Sequence, residues 1–269
     1  MKVISYGGGV QSTAMIVLAI QGRIPNVEAA LFANVGDDSE HPASLVYVRD
    51  VMIPWAAERN FPVYELHRTM RDGSTRTLWN EITRDEGRAI KIPVRMDGTN
   101  APGNRSCTSD YKVKVVNKWL RQHGATKENP AEVCIGISTD EFHRASNRRP
   151  EPTQVAFYPL LDLGMDRVDC QNVIRNAGLP VPPKSSCFFC PFHRLQTWQE
   201  MRRDEPELFW KSVELERTIN SKRAALNRQP VYLTDRQKPL DEAAGEAGPT
   251  LFDDLGFNDG KCDEGYCWT

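Results

Sequence analysis

The sequence predicts an α/β protein: a doubly wound, five-stranded, mostly parallel sheet with a helical, cysteine-bearing C-terminal part. Two observations point to the sheet. Short β-type runs alternate with helix-like stretches through the first half, an order that requires crossover connections and a parallel sheet. The run at 27–35 is dominated by apolar residues, as expected of a strand buried on both faces. A third observation sets the C-terminal part apart. Cys187 and Cys190 stand as a C-x-x-C, and Cys262 and Cys267 fall in the last few residues.

The elements follow in order. Residues 2–6 form a strand that breaks into Gly7, Gly8 and Gly9, and a helix over 11–21 stops at Gly22. After the strand at 27–35, residues 43–59 read as a helix that Pro54 must kink or split. Residues 61–66 give the third strand. Residues 68–105 are polar and poorly periodic apart from a short helix at 77–86, which marks a functional loop or an ordered insertion. A helix over 110–123 sets Val113, Val116, Trp119 and Leu120 on one side. Strands are expected at 132–137 and 156–161. Asp166 is the N-cap of a helix ending at Gly178, and two more helices cover 195–203 and 205–228. On the latter, Leu208, Phe209, Val213, Leu215, Ile219 and Trp210 are expected to pack in the core, as is Trp198. The domain reading is an α/β nucleotide-binding unit at 1–183, the C-x-x-C and helical region at 184–244, and a flexible, cysteine-tipped tail at 245–269.

Composition excludes some classes of function. A net charge of −2 gives no global attraction to nucleic acid, so a polyanion would need a local basic patch. No run could span a bilayer, and residues 1–11 lack the apolar core of a signal peptide; the expectation is a cytoplasmic protein without a membrane partner. Seven cysteines in such a protein point to metal, cluster or redox chemistry rather than structural disulfides.

The stretch Gly7-Gly8-Gly9-Val10-Gln11-Ser12-Thr13 between strand and helix is an anion-binding design. Glycines let backbone N–H groups approach oxygen, the helix N-terminus adds positive charge, and Ser12 and Thr13 can donate hydroxyl bonds. It lacks the spacing of a dinucleotide fingerprint and the lysine of a P-loop. This stretch resembles the Ser-Gly-Gly-x-Asp-Ser signature of the PP-loop (adenine nucleotide α-hydrolase-like) superfamily, with Gly7 at the serine and Gln11 at the aspartate. Within that superfamily the chain is most similar to phosphoadenosine and adenosine phosphosulfate reductases. Their Asp-Thr-Gly and following Glu-x-Pro stretch correspond to Asn34-Val35-Gly36 and Glu40-His41-Pro42. Their Cys-Thr-x-x-x-Lys helix corresponds to Cys107, Thr108 and Lys112, and their Gly-Ile strand exit to Gly136-Ile137 followed by Asp140, Glu141 and Arg144. The likeness covers about residues 1–203.

The resemblance implies that Gly7, Gly8, Gly9, Gln11, Ser12, Thr13, Asn34 and Gly136 hold an adenine nucleotide, either ATP or a sulfonucleotide, with Mg²⁺ an optional companion. The C-x-x-C presents two thiolates to one metal or cluster. By the family spacing Cys107 joins Cys187 and Cys190 as ligands of an iron–sulfur cluster of the 4Fe-4S type. Zinc is the alternative metal, and the fourth ligand is open among a tail cysteine, Cys134, a bound small molecule and none at all. Cys134 otherwise reads as a core residue, like Cys170. The tail resembles the reductases' C-terminal catalytic cysteine, which makes Cys262 and Cys267 the candidate nucleophiles. Arg144 is the candidate catalytic anion-binding arginine, beside Arg148 and Arg149. The expected function is adenine-nucleotide-dependent sulfur chemistry, as a sulfonucleotide reductase-like oxidoreductase or an ATP-dependent sulfurtransferase. Expected partners are an adenine nucleotide and a thioredoxin-like thiol reductant or sulfur donor; a nucleic-acid substrate and a homodimer stay open. The rival readings are a non-catalytic nucleotide or cluster sensor, and a zinc-containing PP-loop ATP pyrophosphatase acting on nucleic acid.

Overall fold

The computed structural model describes residues 1–84, 90–145 and 151–245. Strands β1 (Lys2–Tyr6), β2 (Ala29–Asn34) and β3 (Val63–His67) alternate with helices. The first helix is α1 (Val10–Ile20); the second is a run of α2 (Pro42–Val46), a π-helical stretch (Tyr47–Met52) and α3 (Ile53–Ala57). The insertion holds α4 (Leu78–Thr83), the short β4 (Arg95–Met96) and α5 (Ser106–Thr108). A second π-helical stretch (Ser109–Val113) leads into α6 (Lys114–Gln122). Then come β5 (Ala131–Cys134), a 3-10 stretch (Thr139–Arg144), β6 (Gln154–Phe157), α7 (Pro159–Asp162) and α8 (Arg167–Asn176). The described chain ends with α9 (Leu195–Asp204), α10 (Pro206–Ala224), β7 (Val231–Tyr232) and α11 (Leu240–Ala243).

The main sheet runs β3-β2-β1-β5-β6, and each of its pairings is parallel. Strand order reverses between β1 and β5, and ligand crevices form outside the carboxyl ends at such a switch point. Alternation of side chains along the strands feeds two cores. Ile4, Phe32 and Cys134 face α1 and α8, while Val3, Leu31 and Val133 face α6. A third core lies outside the sheet, where Leu78 of the insertion and Tyr111 of the second π-helical stretch pack with Phe188, Phe189, Trp198 and Phe209. Lys222 on α10 locks the insertion to this core by donating to the carbonyls of Ile82, Thr83 and Arg84 at 3.2, 2.6 and 2.8 Å, which caps α4.

Several expectations need adjustment. Pro54 neither breaks the helix nor kinks it alone: it has no N–H to bond back toward Asp50, and the π-helical stretch just before it absorbs the mismatch. The last strand of the sheet is Gln154–Phe157 rather than 156–161, because Pro159 opens a helical turn with its fixed φ. The pairing of β4 with β7, antiparallel, was not foreseen, since each strand has two residues and no periodicity to show. Trp210 is 47% exposed rather than core, while Trp198, Phe209, Val213, Leu215 and Ile219 are buried as expected. The Asp166 cap is present as a full capping box with Asp169, and Gly178 ends the segment at φ +77°. No helix among the described residues is long and apolar enough to cross a membrane.

Glu216 on α10 is a buried strut. Its carboxylate accepts the N–H groups of Leu233 and Leu240 at 2.6 and 2.8 Å, which holds the chain after β7 against the helix. Burial outweighs these two bonds and pushes its carboxyl up to about 7. A carboxyl raised on folding stabilises most below its unfolded value and loses that contribution as pH rises through 7. Glu216→Ala should therefore cost roughly 2–4 kcal/mol, two buried donors losing their acceptor. The stability advantage of the wild type over Glu216→Gln should shrink between pH 5 and pH 8, as measured by urea denaturation. An advantage that grows over that range would refute the assignment.

Candidate functional site

The site begins where β1 ends. Gly9 is the N-cap of α1, and Gly8 sits at φ +77°, a conformation L side chains rarely adopt. A Cβ on Gly8 would also press on Val48 at 3.3 Å and the Ser185 hydroxyl at 3.4 Å. Ser12 braces the loop: its hydroxyl accepts the Gly7 N–H and donates to the Gly9 carbonyl, both at 3.2 Å. Thr13 is fully buried, with its hydroxyl 3.5 Å from that of Tyr6, and does not line the cleft. Gly136, at the exit of β5, is held so close to α1 that a Cβ would stand 3.1 Å from the Ser12 nitrogen.

Between these walls lies a cleft that opens to solvent. Gly7, Gly9, Gln11 and Ser12 line one side, Ser185 and Lys184 the other, and Phe32, Ala33 and Gly136 also border it. Lys112, Arg167 and Lys184 bring positive charge to it, and no carboxylate is among its lining residues. Arg167, Lys184 and Ser185 were missed in the sequence. The first follows a helix N-cap and the others follow a proline-rich turn, so neither setting advertises an anion site.

Two residues expected at the nucleotide are committed to the protein. Gln11 donates to Ser138 at 3.4 Å and Glu141 at 3.3 Å and accepts from Arg167 at 3.4 Å, so it holds the β5 exit against α1 while lining the cleft. Asn34 donates to Asp37 at 2.8 Å and Glu65 at 2.7 Å and accepts the Gly36 N–H at 2.7 Å. It clamps the ends of β2 and β3 and does not line the cleft. Arg49 completes that clamp and holds the carboxyl of Asp37 below its usual range. Arg144 departs further from expectation. It is 5% exposed and ion-paired with Glu141, so its charge is spent inside the fold.

The cysteine turn lies across from the phosphate loop. Cys190 N–H donates to the Cys187 carbonyl at 3.1 Å, and His193 closes the turn through the same carbonyl at 3.0 Å. Cys107 sits on α5, its N–H donating to Lys91 at 2.8 Å. Cys107, Cys187 and Cys190 form no disulfide, and the first two pack against the Phe188–Trp198 core. Burial first, then the Glu40 carboxylate, pushes the Cys187 thiol well up; Lys112 opposes this, and the Cys190 and Cys107 thiols add to it. Those three cysteines, Glu40 and Lys112 thus share one neighbourhood. Among the described residues no group of three or more His, Cys, Asp or Glu is arranged to hold a single metal ion. Thiolates are the ligand type an iron–sulfur cluster takes, and Cys107, Cys187 and Cys190 are of that type. Cys134 and Cys170 belong to the core against α1 and α8, with thiols pushed up to about 12 by burial. Cys134 is therefore removed as a fourth ligand. Arg148, Arg149, Cys262 and Cys267 lie outside the described residues.

One segment joins the two halves. Tyr47 donates to the Pro180 carbonyl at 2.8 Å and Ser44 to that of Lys184 at 3.1 Å. The Ser185 hydroxyl then bonds the Gly7 carbonyl, two residues before Cys187.

Gly8→Ala should cost about 1–3 kcal/mol from the left-handed backbone alone. Gly9→Ala, whose Cβ would meet only Ser185 at an ordinary 3.6 Å, should keep wild-type stability. Thermal denaturation of both variants checks this, and equal losses would contradict the loop geometry. No protein-family model matches this chain, and no curated protein matches its sequence.

Proposed function

We propose that the chain is an adenine-nucleotide-dependent sulfur-chemistry enzyme with an iron–sulfur centre, and that its nucleotide is a sulfonucleotide which it reduces. The observation that carries this reading is a cleft at the phosphate loop lined by Lys112, Arg167 and Lys184 with no carboxylate, which shares Lys112 with the cysteine neighbourhood. ATP activation at a PP-loop relies on Mg²⁺, whose ligands are carboxylates and phosphate oxygens. Here the two family carboxylate positions are Gln11 and Asn34, both engaged as amides. A nucleotide bound directly by cations fits such a lining better.

In this reading the backbone N–H groups of Gly9 and Val10 at the α1 N-terminus meet the phosphates, and Arg167 and Lys184 neutralise them. Lys112 draws the sulfonyl end toward the cysteines. A bound cluster would be held by Cys107, Cys187 and Cys190 and would supply a polarising, electron-rich surface beside the substrate. The thiolate of Cys262 or Cys267 attacks the sulfonyl sulfur, and the sulfur–oxygen bond to the nucleotide phosphate breaks. A second thiol, from the other tail cysteine or a thioredoxin-like donor, then attacks the cysteine sulfur. That step forms a disulfide and releases sulfite, a two-electron reduction.

Calorimetry on anaerobically purified protein tests the reading. Sulfonucleotide should bind without Mg²⁺, more tightly than MgATP, and Arg167→Ala or Lys184→Ala should weaken it about ten- to a hundredfold, the worth of a charge-assisted bond. Binding of MgATP alone, with pyrophosphate release, would favour the ATP-dependent sulfurtransferase instead. Truncation after Lys261 should abolish sulfite production and retain nucleotide binding. Binding without any turnover in the full chain would point to the sensor.

A further inference from the structure

At a net charge of −2 a polyanion needs a local basic patch, and the fold builds one from two segments distant in sequence. β3 is an edge strand of the main sheet, and Tyr64 on it is 44% exposed. Its ring meets that of Trp119 on α6 at 5.4 Å between centroids. Trp119 in turn stacks on His123, just past the helix, at 3.7 Å and 16° between planes. Half-buried Trp119 thus anchors a row of three rings, and the two rings it touches, Tyr64 and His123, are exposed.

Cations flank this row. From Val113 to Lys127 the chain has no acidic residue and carries Lys114, Lys118, Arg121 and Lys127. The first three recur at i, i+4 and i+7 and form one exposed stripe on α6. Lys118 donates to the Thr69 hydroxyl, which brings the turn after β3, with exposed Arg71, against the helix. Lys114 shares its charge with Asp110, whereas Arg121 and Arg71 form no ion pair among the described residues. Nearby carboxylates along β3 and its turn are engaged elsewhere. Arg49 and Asn34 hold Glu65, and Asp72 accepts the hydroxyl and N–H of Ser74.

We infer that this face of β3 and α6 docks single-stranded nucleic acid, with the cations on its phosphates and its bases stacked on Tyr64 and His123. The rings decide between polyanions. An acidic protein segment needs only the cations, and a duplex keeps its bases stacked on one another. An unpaired base gains from an exposed aromatic face. Tyr64, Lys118, Trp119, Arg121 and His123 do not line the cleft, so the inference is independent of the sulfonucleotide reading.

Fluorescence anisotropy on the full chain tests it, with a labelled oligothymidylate of about 15 nucleotides, long enough for a site of this kind. Affinity should fall with salt at a log–log slope of about −2, as expected of roughly three phosphates on a single strand. Tyr64→Ala and His123→Ala should each weaken binding about tenfold, the worth of one stacked base. Arg121→Ala should reduce the magnitude of the slope by about 0.7. All three positions are exposed, and circular dichroism checks that the variants fold. No binding to the wild type at low salt overturns the inference, and so does binding that both ring variants leave unchanged. Binding lost in Arg167→Ala but unaltered in Arg121→Ala puts the strand in the cleft and overturns it too. A labelled polyglutamate of equal length that binds as tightly as the oligonucleotide overturns it in favour of an acidic protein segment.

Discussion

The Ser185 hydroxyl bonds the carbonyl of Gly7, and the organisation of the site depends on that crossing. Residues 180–188 run from the end of the α/β unit to the cysteine turn, pinned in sequence by Tyr47, Ser44, Gly7 and the Ser39–His41 strand. The crossing makes the far wall of the cleft from the same few residues that present Cys187 and Cys190. A phosphate loop alone would be a generic anion cradle. Covered by this segment, it becomes one side of a cleft whose other side is formed by Pro183, Lys184 and Ser185.

Charge is distributed to match. The carboxylates near the strand ends are engaged within the protein: Asp37 and Glu65 by Arg49 and Asn34, Glu141 by Arg144 and Gln11. The cleft is left with Lys112, Arg167 and Lys184. A protein of net charge −2 thus has a cleft lined by three cationic side chains and no carboxylate. This arrangement also gives a physical role to Gln11 and Asn34. Gln11 and Asn34 keep the hydrogen-bonding reach of a carboxylate's length of chain but bring no charge, so they serve as braces between strand ends.

Much of this was legible in the sequence, for identifiable reasons. The parallel sheet was visible because strands buried on both faces need apolar runs, and the Gly7–Gly9 turn because only glycine tolerates its backbone at Gly8. Cys107 and Cys187 pack against the same core, and only the resemblance, not local pattern, had put them together. What could not be read was the partnering of isolated charges. Nothing local distinguishes Arg144, paired internally with Glu141, from Arg167, which lines the cleft. Glu40 was equally silent, since its burial arises from a two-residue crossing with a segment far away in sequence. The β4–β7 pair and the π-helical adjustment before Pro54 are likewise tertiary outcomes.

The central claim is that cleft and cysteine turn are one site, linked through Ser185 and Lys112. The most direct measurement is the visible circular dichroism spectrum of iron-loaded, anaerobic protein, recorded as a sulfonucleotide is titrated to saturation. The account predicts a spectral change that follows the calorimetric binding isotherm and is lost in Lys112→Ala protein that still binds nucleotide. A spectrum that stays constant while the nucleotide binds to saturation would contradict it.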